Sequence, residues 1–456
     1  MRIFLSHGLV IVSLLLTACA PRATPVPLLS AIPPGTLTAL APTETPIVPT
    51  ATPRPPTRTP APRPSLTPTE TPTERPTPAP VSIDPAAPRI TPFGIGNVLR
   101  FAEVQPFTQG VGWGVAQPGL DRDDHLVVSR DGGYQWRDVT PPHPADLDLA
   151  AGWGAQFFAL NGETAWVVFS DRAAGALPEQ AWVWRTVDAG TTWQTSVALD
   201  LGDASGFHPL ALHFSNAAHG WLLIADAPGQ DSTSRRMLST SDGGLHWITV
   251  SRWDANAGEA CEVQDVRRVS ETDGYLFAAC PGALDKQPVL RVTRDGGATW
   301  EPQAVPLPEG FPEAFYGRCE AAPEWVTQAD LVLRVDCRAQ DADALAQYLL
   351  RSVPGDARFV VAGLGPARLL DAAFFGPGEA LMLVDPRPDR TGDLHLVATD
   401  DAGLTTRRQR AVRWLGFIEA AGANQFWAVL SSDVDALYVS LDGGQTWGRT
   451  DAVIVE

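Results

Sequence analysis

The chain has 456 residues, is 44% hydrophobic, and carries 52 acidic against 34 basic residues for a formal net charge of −18. One lysine in the whole chain, Lys286, and so acidic a balance leave no basic patch for a phosphate backbone. Nucleic-acid binding is thereby excluded as a main role, and an anionic lipid surface is disfavoured as a direct ligand. A neutral or cationic partner, or plain solubility, fits better.

Residues 1–18 carry Arg2 and then an apolar run from Leu9 to Leu16, too short to span a bilayer and patterned like a signal peptide. Leu16-Thr17-Ala18-Cys19 resembles the bacterial lipobox. That resemblance implies cleavage before Cys19, lipidation of its sulfur, and a bacterial cell-envelope protein anchored on the outer face of a membrane by lipid alone. From Ala20 to Pro92 the composition changes, with 22 prolines in 73 residues and recurring Thr-Pro pairs. Such a segment cannot bury a core, so 19–92 reads as a lipidated cysteine followed by a disordered, extended tether. At ~3.1 Å per residue its reach is on the order of 200 Å.

Residues 93–456 rewrite one stretch, Ser/Thr-x-Asp-Gly/Ala-Gly-x-x-Trp. It occurs as SRDGGYQW (129–136), TVDAGTTW (186–193), TSDGGLHW (240–247), TRDGGATW (293–300) and SLDGGQTW (440–447), with TDDAGLTT (399–406) lacking the tryptophan. SVPGDARF (352–359) reads as a decayed seventh copy. Each copy follows a β-branched, aromatic-rich run, so it sits at the end of a strand. The carboxylates of Asp131, Asp188, Asp242, Asp295, Asp401 and Asp442 can turn back onto the N–H groups of a tight loop. The fifth position is glycine throughout (Gly133, Gly190, Gly244, Gly297, Gly403, Gly444), whereas the fourth accepts Ala189 and Ala402. That contrast assigns the positive-φ residue to the fifth position. Trp136, Trp193, Trp247, Trp300 and Trp447 then open the returning strand with apolar surface to bury.

A second marker, a short apolar strand ahead of each copy, carries Trp113, Trp166, Trp221, Tyr275, Leu331, Leu381 and Trp427 in turn. Both markers count seven units of a length typical of propeller blades. The expected fold is all-β, a single seven-bladed β-propeller of four-stranded antiparallel blades. The blades fall at about 93–141, 142–203, 204–253, 254–307, 308–362, 363–412 and 413–456, where the boundaries are rough. First and last blades both look complete, and the sequence shows no clear strand exchange between the termini, which leaves the mode of ring closure open.

This pattern resembles the Asp-box, or BNR, repeat of bacterial sialidases, sortilin and photosystem II assembly-factor-like propellers. The pairing of a Gly-Trp-aliphatic strand with a downstream box is most similar to the last group. The resemblance implies outer-rim turns whose aspartates are structural, and an axial face on which such propellers bind ligands.

Four cysteines remain after Cys19. Cys261 and Cys280, and Cys319 and Cys337, are each centred near a hairpin turn, which predicts two disulfides within blades, Cys261–Cys280 and Cys319–Cys337. His208, His213 and His219 match no zinc spacing, DRDD at 121–124 lacks the glycine and glutamate of a calcium loop, and no cofactor or metal is expected. Leu99-Arg100-Phe101-Ala102 keeps only the arginine of the segment that sialidases carry before their first box, and Tyr275, Tyr348 and Tyr438 lie within strands. No set of residues shows catalytic spacing. The expectation is therefore a monomeric, non-catalytic binding scaffold that takes a protein or extracellular polymer on its axial face. The alternative is a divergent sialidase or other glycoside hydrolase acting on extracellular glycans.

Overall fold

The computed structural model describes residues 93–455 apart from 108–109, 118–122, 143–151, 173–180, 203–205, 227–233, 254–261, 280–288, 307–318, 339–344, 353–358, 364–366 and 387–392. The signal segment, Cys19 and the proline-rich stretch lie outside these residues, as do Cys261 and Cys280.

The described residues form seven antiparallel sheets, each a meander of four consecutive strands, and so a seven-bladed propeller. The first strands of the blades are Arg100–Pro106, Trp153–Ala159, His208–Phe214, Glu262–Arg268, Cys319–Val326, Arg368–Phe374 and Gly416–Ala420. They approach their counterparts in adjacent blades and make the innermost ring. Seven apolar clusters occupy the seven interfaces between consecutive blades. One of them joins Trp427, Val429 and Leu437 of the last blade to Phe101 and Trp136 of the first, so the ring is closed. Neither face of a blade can be buried by the blade itself, which is why the core is divided among the interfaces.

The two sequence markers meet across these interfaces. The ring of Trp136 packs edge-on to Trp427 of the preceding blade at 5.5 Å. Trp193 meets Trp113 at 6.5 Å, and Trp300 meets Trp221 at 5.7 Å. Trp113, Trp136, Trp166, Trp221 and Trp427 are all fully buried.

Within the repeated turn, the first-position hydroxyl and the aspartate support one another. Thr293 Oγ1 donates to Asp295 Oδ1 at 2.8 Å and accepts from Gly297 N at 3.0 Å. Asp295 Oδ1 also accepts from Thr299 N at 2.9 Å. The same arrangement recurs at Asp131, Asp188, Asp242, Asp401 and Asp442.

The glycine argument needs correction. Positive φ occurs at both the fourth and the fifth position, and Ala189 (53°) and Ala402 (57°) adopt it at the fourth. In the first, second, fourth and seventh blades what sets the fifth apart is space, whereas in the third a Cβ on the fourth-position Gly243 would meet Arg185 Nη1 at 2.4 Å and one on Gly244 only Trp166 at 3.2 Å. A Cβ on Gly190 would lie 2.4 Å from Val139 Cβ, and one on Gly133 would lie 2.5 Å from Leu437 Cδ2, both in the preceding blade. A Cβ on Gly132 meets nothing nearer than 3.8 Å. The invariant glycine lets one blade approach the next.

Ring closure, which the sequence leaves open, uses a strand from the C-terminal end. Val453–Ile454 crosses to the first blade and pairs in parallel with Gln135 and Trp136 as a fifth strand. On its other side Leu99 N donates to Ala452 O and Gly96 N to Ile454 O, so both ends of the domain share one seam. Phe93 N donates to Asp138 Oδ2 at 2.8 Å, beside a buried His125–Asp138 pair.

The Cys319–Cys337 disulfide is present between directly opposed residues of the first two strands of the fifth blade. That blade's decayed turn, 353–358, lies outside the described residues.

Candidate functional site

Strand register decides which side chains reach the axis. In four inner strands a β-bulge falls at the same height, at Ala102, Leu210, Gln264 and Leu370. The residue after the bulge is Glu103 in the first blade, Asp265 in the fourth and Asp371 in the sixth. Bulges re-aim the following side chain, and three of these four positions carry a carboxylate. Asp371 is committed to structure, because its Oδ2 accepts from Ile418 N of the seventh blade at 2.6 Å.

Glu103 and Asp265 are held differently. Asp265 Oδ2 accepts from Arg267 Nε at 3.0 Å and forms an ion pair with Nη2 at 2.9 Å. Burial pushes the Glu103 carboxyl above its usual range, Asp124 adds to the rise, and the Arg267 guanidinium opposes it. Arg267 belongs to the fourth blade and Glu103 to the first, both on the innermost strands. The Glu103 side chain is half-buried on the inner strand of its blade. His213, from the third blade, has the same character, and burial with the nearby Arg267 charge holds its imidazole well below the usual histidine range.

Four groups from three blades therefore share the axial region: a carboxyl biased toward its protonated form, an ion-paired carboxylate, a guanidinium and a neutral imidazole. Two carboxyls held in environments that push their protonation apart are the pattern that separates acid from base roles. No spacing rule could have found it, because residues 103, 213, 265 and 267 belong to strands from three different blades. The readable signal was the polar residue at matching register in successive inner strands.

The residues singled out from sequence lie elsewhere. The six turn aspartates sit just past the ends of third strands, and at Asp188, Asp242, Asp295, Asp401 and Asp442 the hydrogen bonds favour the charged form. The Thr299 hydroxyl brings Asp295 down to about 2, and the Thr446 hydroxyl does the same to Asp442. The three histidines do not cluster: His208 and His213 stand at the two ends of one strand, and His219 lies in the turn that follows. Tyr348 is buried in the fifth blade, and Tyr438 donates to Asp433 Oδ2 at 2.8 Å in the seventh.

No protein-family model matches the chain, and no curated protein matches it. Solved structures do. A prolyl endopeptidase, from a study of inter-domain dynamics in two such enzymes, superposes with a TM-score of 0.52 at 9% identity, covering 78% of this chain and 50% of that one. Prolyl oligopeptidase B from Galerina marginata gives 0.51 at 11% identity, covering 77% and 51%. A PL25 polysaccharide lyase, an ulvan lyase, gives 0.46 at 9% identity, covering 79% and 97%. The chain thus spans about half the length of the two peptidases. At these identities the likeness establishes the fold alone. The expectation of a non-catalytic scaffold is nonetheless corrected. The two prolyl peptidases it resembles in fold are enzymes, and Glu103, Asp265 and His213 on the inner strands are not accounted for by building blades. The solved structures establish a seven-bladed β-propeller whose neighbours in fold are propeller enzymes.

Proposed function

We propose that the protein is a glycoside hydrolase acting on uncharged extracellular glycans at its axial opening, held to the cell envelope through lipidated Cys19 and the proline-rich tether. The carrying observation is that Glu103 and Asp265 occupy the same post-bulge position of the inner strands in the first and fourth blades, with Asp265 ion-paired to Arg267. Glycoside hydrolysis needs one carboxyl protonated and one ionised, on opposite sides of the scissile bond. Glu103 delivers its proton to the leaving glycosidic oxygen as the C–O bond breaks. Asp265 takes a proton from the water that attacks the anomeric carbon, and proton exchange with solvent restores both groups.

Peptide cleavage by acyl transfer is less well supported. The seven inner strands carry no serine or threonine, and their one cysteine, Cys319, is bonded to Cys337. An acidic protein also suits a neutral polymer better than an anionic one. The hydroxyl–aspartate turns and the Gly-Trp strands support reading the repeat as an Asp-box, with photosystem II assembly-factor-like propellers nearest in pattern; this concerns descent and fold.

The full chain is to be assayed for release of reducing ends from a panel of neutral polysaccharides. Glu103→Gln and Asp265→Asn should each lower kcat by about 100-fold or more. Turnover that survives both substitutions, or none on any glycan, would overturn the assignment.

A further inference from the structure

Gln105 and His213 stand at equivalent places in their blades, opposite Trp113 and Trp221 of the second strands. Each bonds the last residue of the inner strand in the following blade. Gln105 uses both amide atoms, donating from Nε2 to Ala159 O at 3.2 Å and accepting from Ala159 N at 3.3 Å. His213 uses one atom: Arg268 N donates to its Nδ1 at 3.2 Å.

A backbone N–H can only donate, so Nδ1 must present its lone pair, and the ring proton resides on Nε2. Protonating Nδ1 would oppose two donors and orphan the Arg268 N–H. The partner cannot move aside. The Arg268 side chain donates to the carbonyls of Gly220, Thr240, Ser270 and Glu271 and to Ser239 Oγ, and it lies over the Trp221 ring at 5.2 Å. The imidazole is backed by Phe158 at 4.7 Å. The charged groups near it are Arg267 and Arg268 of the next blade. Among the described residues Nε2 has no hydrogen-bond partner, and the side chain keeps accessible surface.

We infer that His213 is a specificity-determining residue, a permanently neutral Nε2–H donor to an oxygen of the bound sugar, and takes no part in proton transfer. The sugar contact rests on the hydrolase reading above; the fixed, uncharged tautomer does not. A site built to hydrogen-bond one substrate oxygen discriminates strongly against analogues lacking it.

The test has two arms. Long-range proton–nitrogen correlation spectra of the labelled full chain, with His213 identified by comparison with His213→Gln, should show the Nε2–H tautomer unchanged from about pH 8 to about pH 5. An Nδ1–H tautomer, or titration near pH 6.5, overturns the inference whatever the protein's activity. On the glycan that is hydrolysed, His213→Leu should raise KM about 10-fold and leave the pH profile of kcat/KM in place, whereas His213→Gln should stay within about 3-fold of wild type. Loss of one limb of that profile in His213→Leu would instead make His213 an acid or base. Absence of turnover with the tautomer as described removes the hydrolase reading, and the sugar contact with it, while the neutral donor stands.

Discussion

A single added methyl group separates the fourth and fifth positions of the repeated turn, compared at Gly132 of the first copy and Gly190 of the second. Gly190 has φ 78° and would press a Cβ onto the stiff, branched Val139 across the interface, so Gly190→Ala combines backbone strain with overpacking. The expected loss is about 2–4 kcal/mol in urea unfolding. Gly132→Ala has the strain without the clash and should cost about 1 kcal/mol. Equal losses would mean that backbone conformation, and not blade contact, selects the glycine. The turn aspartates set an acid limit. Asp295 has a folded-state value of about 2, below the ~4 of an unfolded aspartate, so its contribution is fully present above about pH 4 and vanishes as pH falls through about 2. The urea midpoint of Asp295→Asn should therefore lie below that of wild type at pH 6 and converge on it near pH 2. A gap that persists at low pH would show that the carboxylate charge is not what matters. Sequence made the aspartate readable because its partners are local, within four residues. It misassigned the glycine because the deciding atom belongs to another blade.

Among the elements, the fifth blade is the exception. Its turn has lost the aspartate and tryptophan, and its first three strands, Cys319–Val326, Leu331–Arg338 and Leu345–Ser352, are each 8 residues long. Two features hold it together. The Cys319–Cys337 bond joins its first two strands, and Arg334 bridges Glu324 and Asp336 at 3.2 Å each. Closing an 18-residue separation should stabilise the fold by about 3 kcal/mol, so the double variant Cys319→Ala/Cys337→Ala should unfold at correspondingly lower urea. An unchanged midpoint would leave the bond without a stabilising role. Hairpin symmetry alone sufficed to pair these cysteines, because a strand register maps equal distances from a turn onto each other. The inner-strand bulges were not legible in the same way. One extra residue leaves no mark on an apolar run, yet it decides that Glu103 and Asp265 are aimed where they are.

For the whole molecule, blade count was readable because every blade repeats both markers, and closure was not. Val453–Ile454 is a strand of two residues that pairs in parallel with a partner more than 300 positions earlier, beneath any local signal. Removing residues 453–456 should expose Trp136, fully buried in the closed ring, and abolish a single cooperative transition, with thermal unfolding and tryptophan emission as readouts. A truncated chain with the wild-type transition would show that side-chain packing at the interface is enough to close the ring. The seam also orders events in time. Its two halves, residues 96–99 and 452–454, are made at opposite ends of synthesis of this domain, so the interface between first and last blades must wait until both have emerged. Until then the apolar faces that meet there, Phe101 and Trp136 on one side and Trp427 and Leu437 on the other, stand open to water. Were the proposed signal segment to export the chain unfolded, an arc of blades that cannot shut before its last strand arrives would stay threadable and become a finished ring only on the far side.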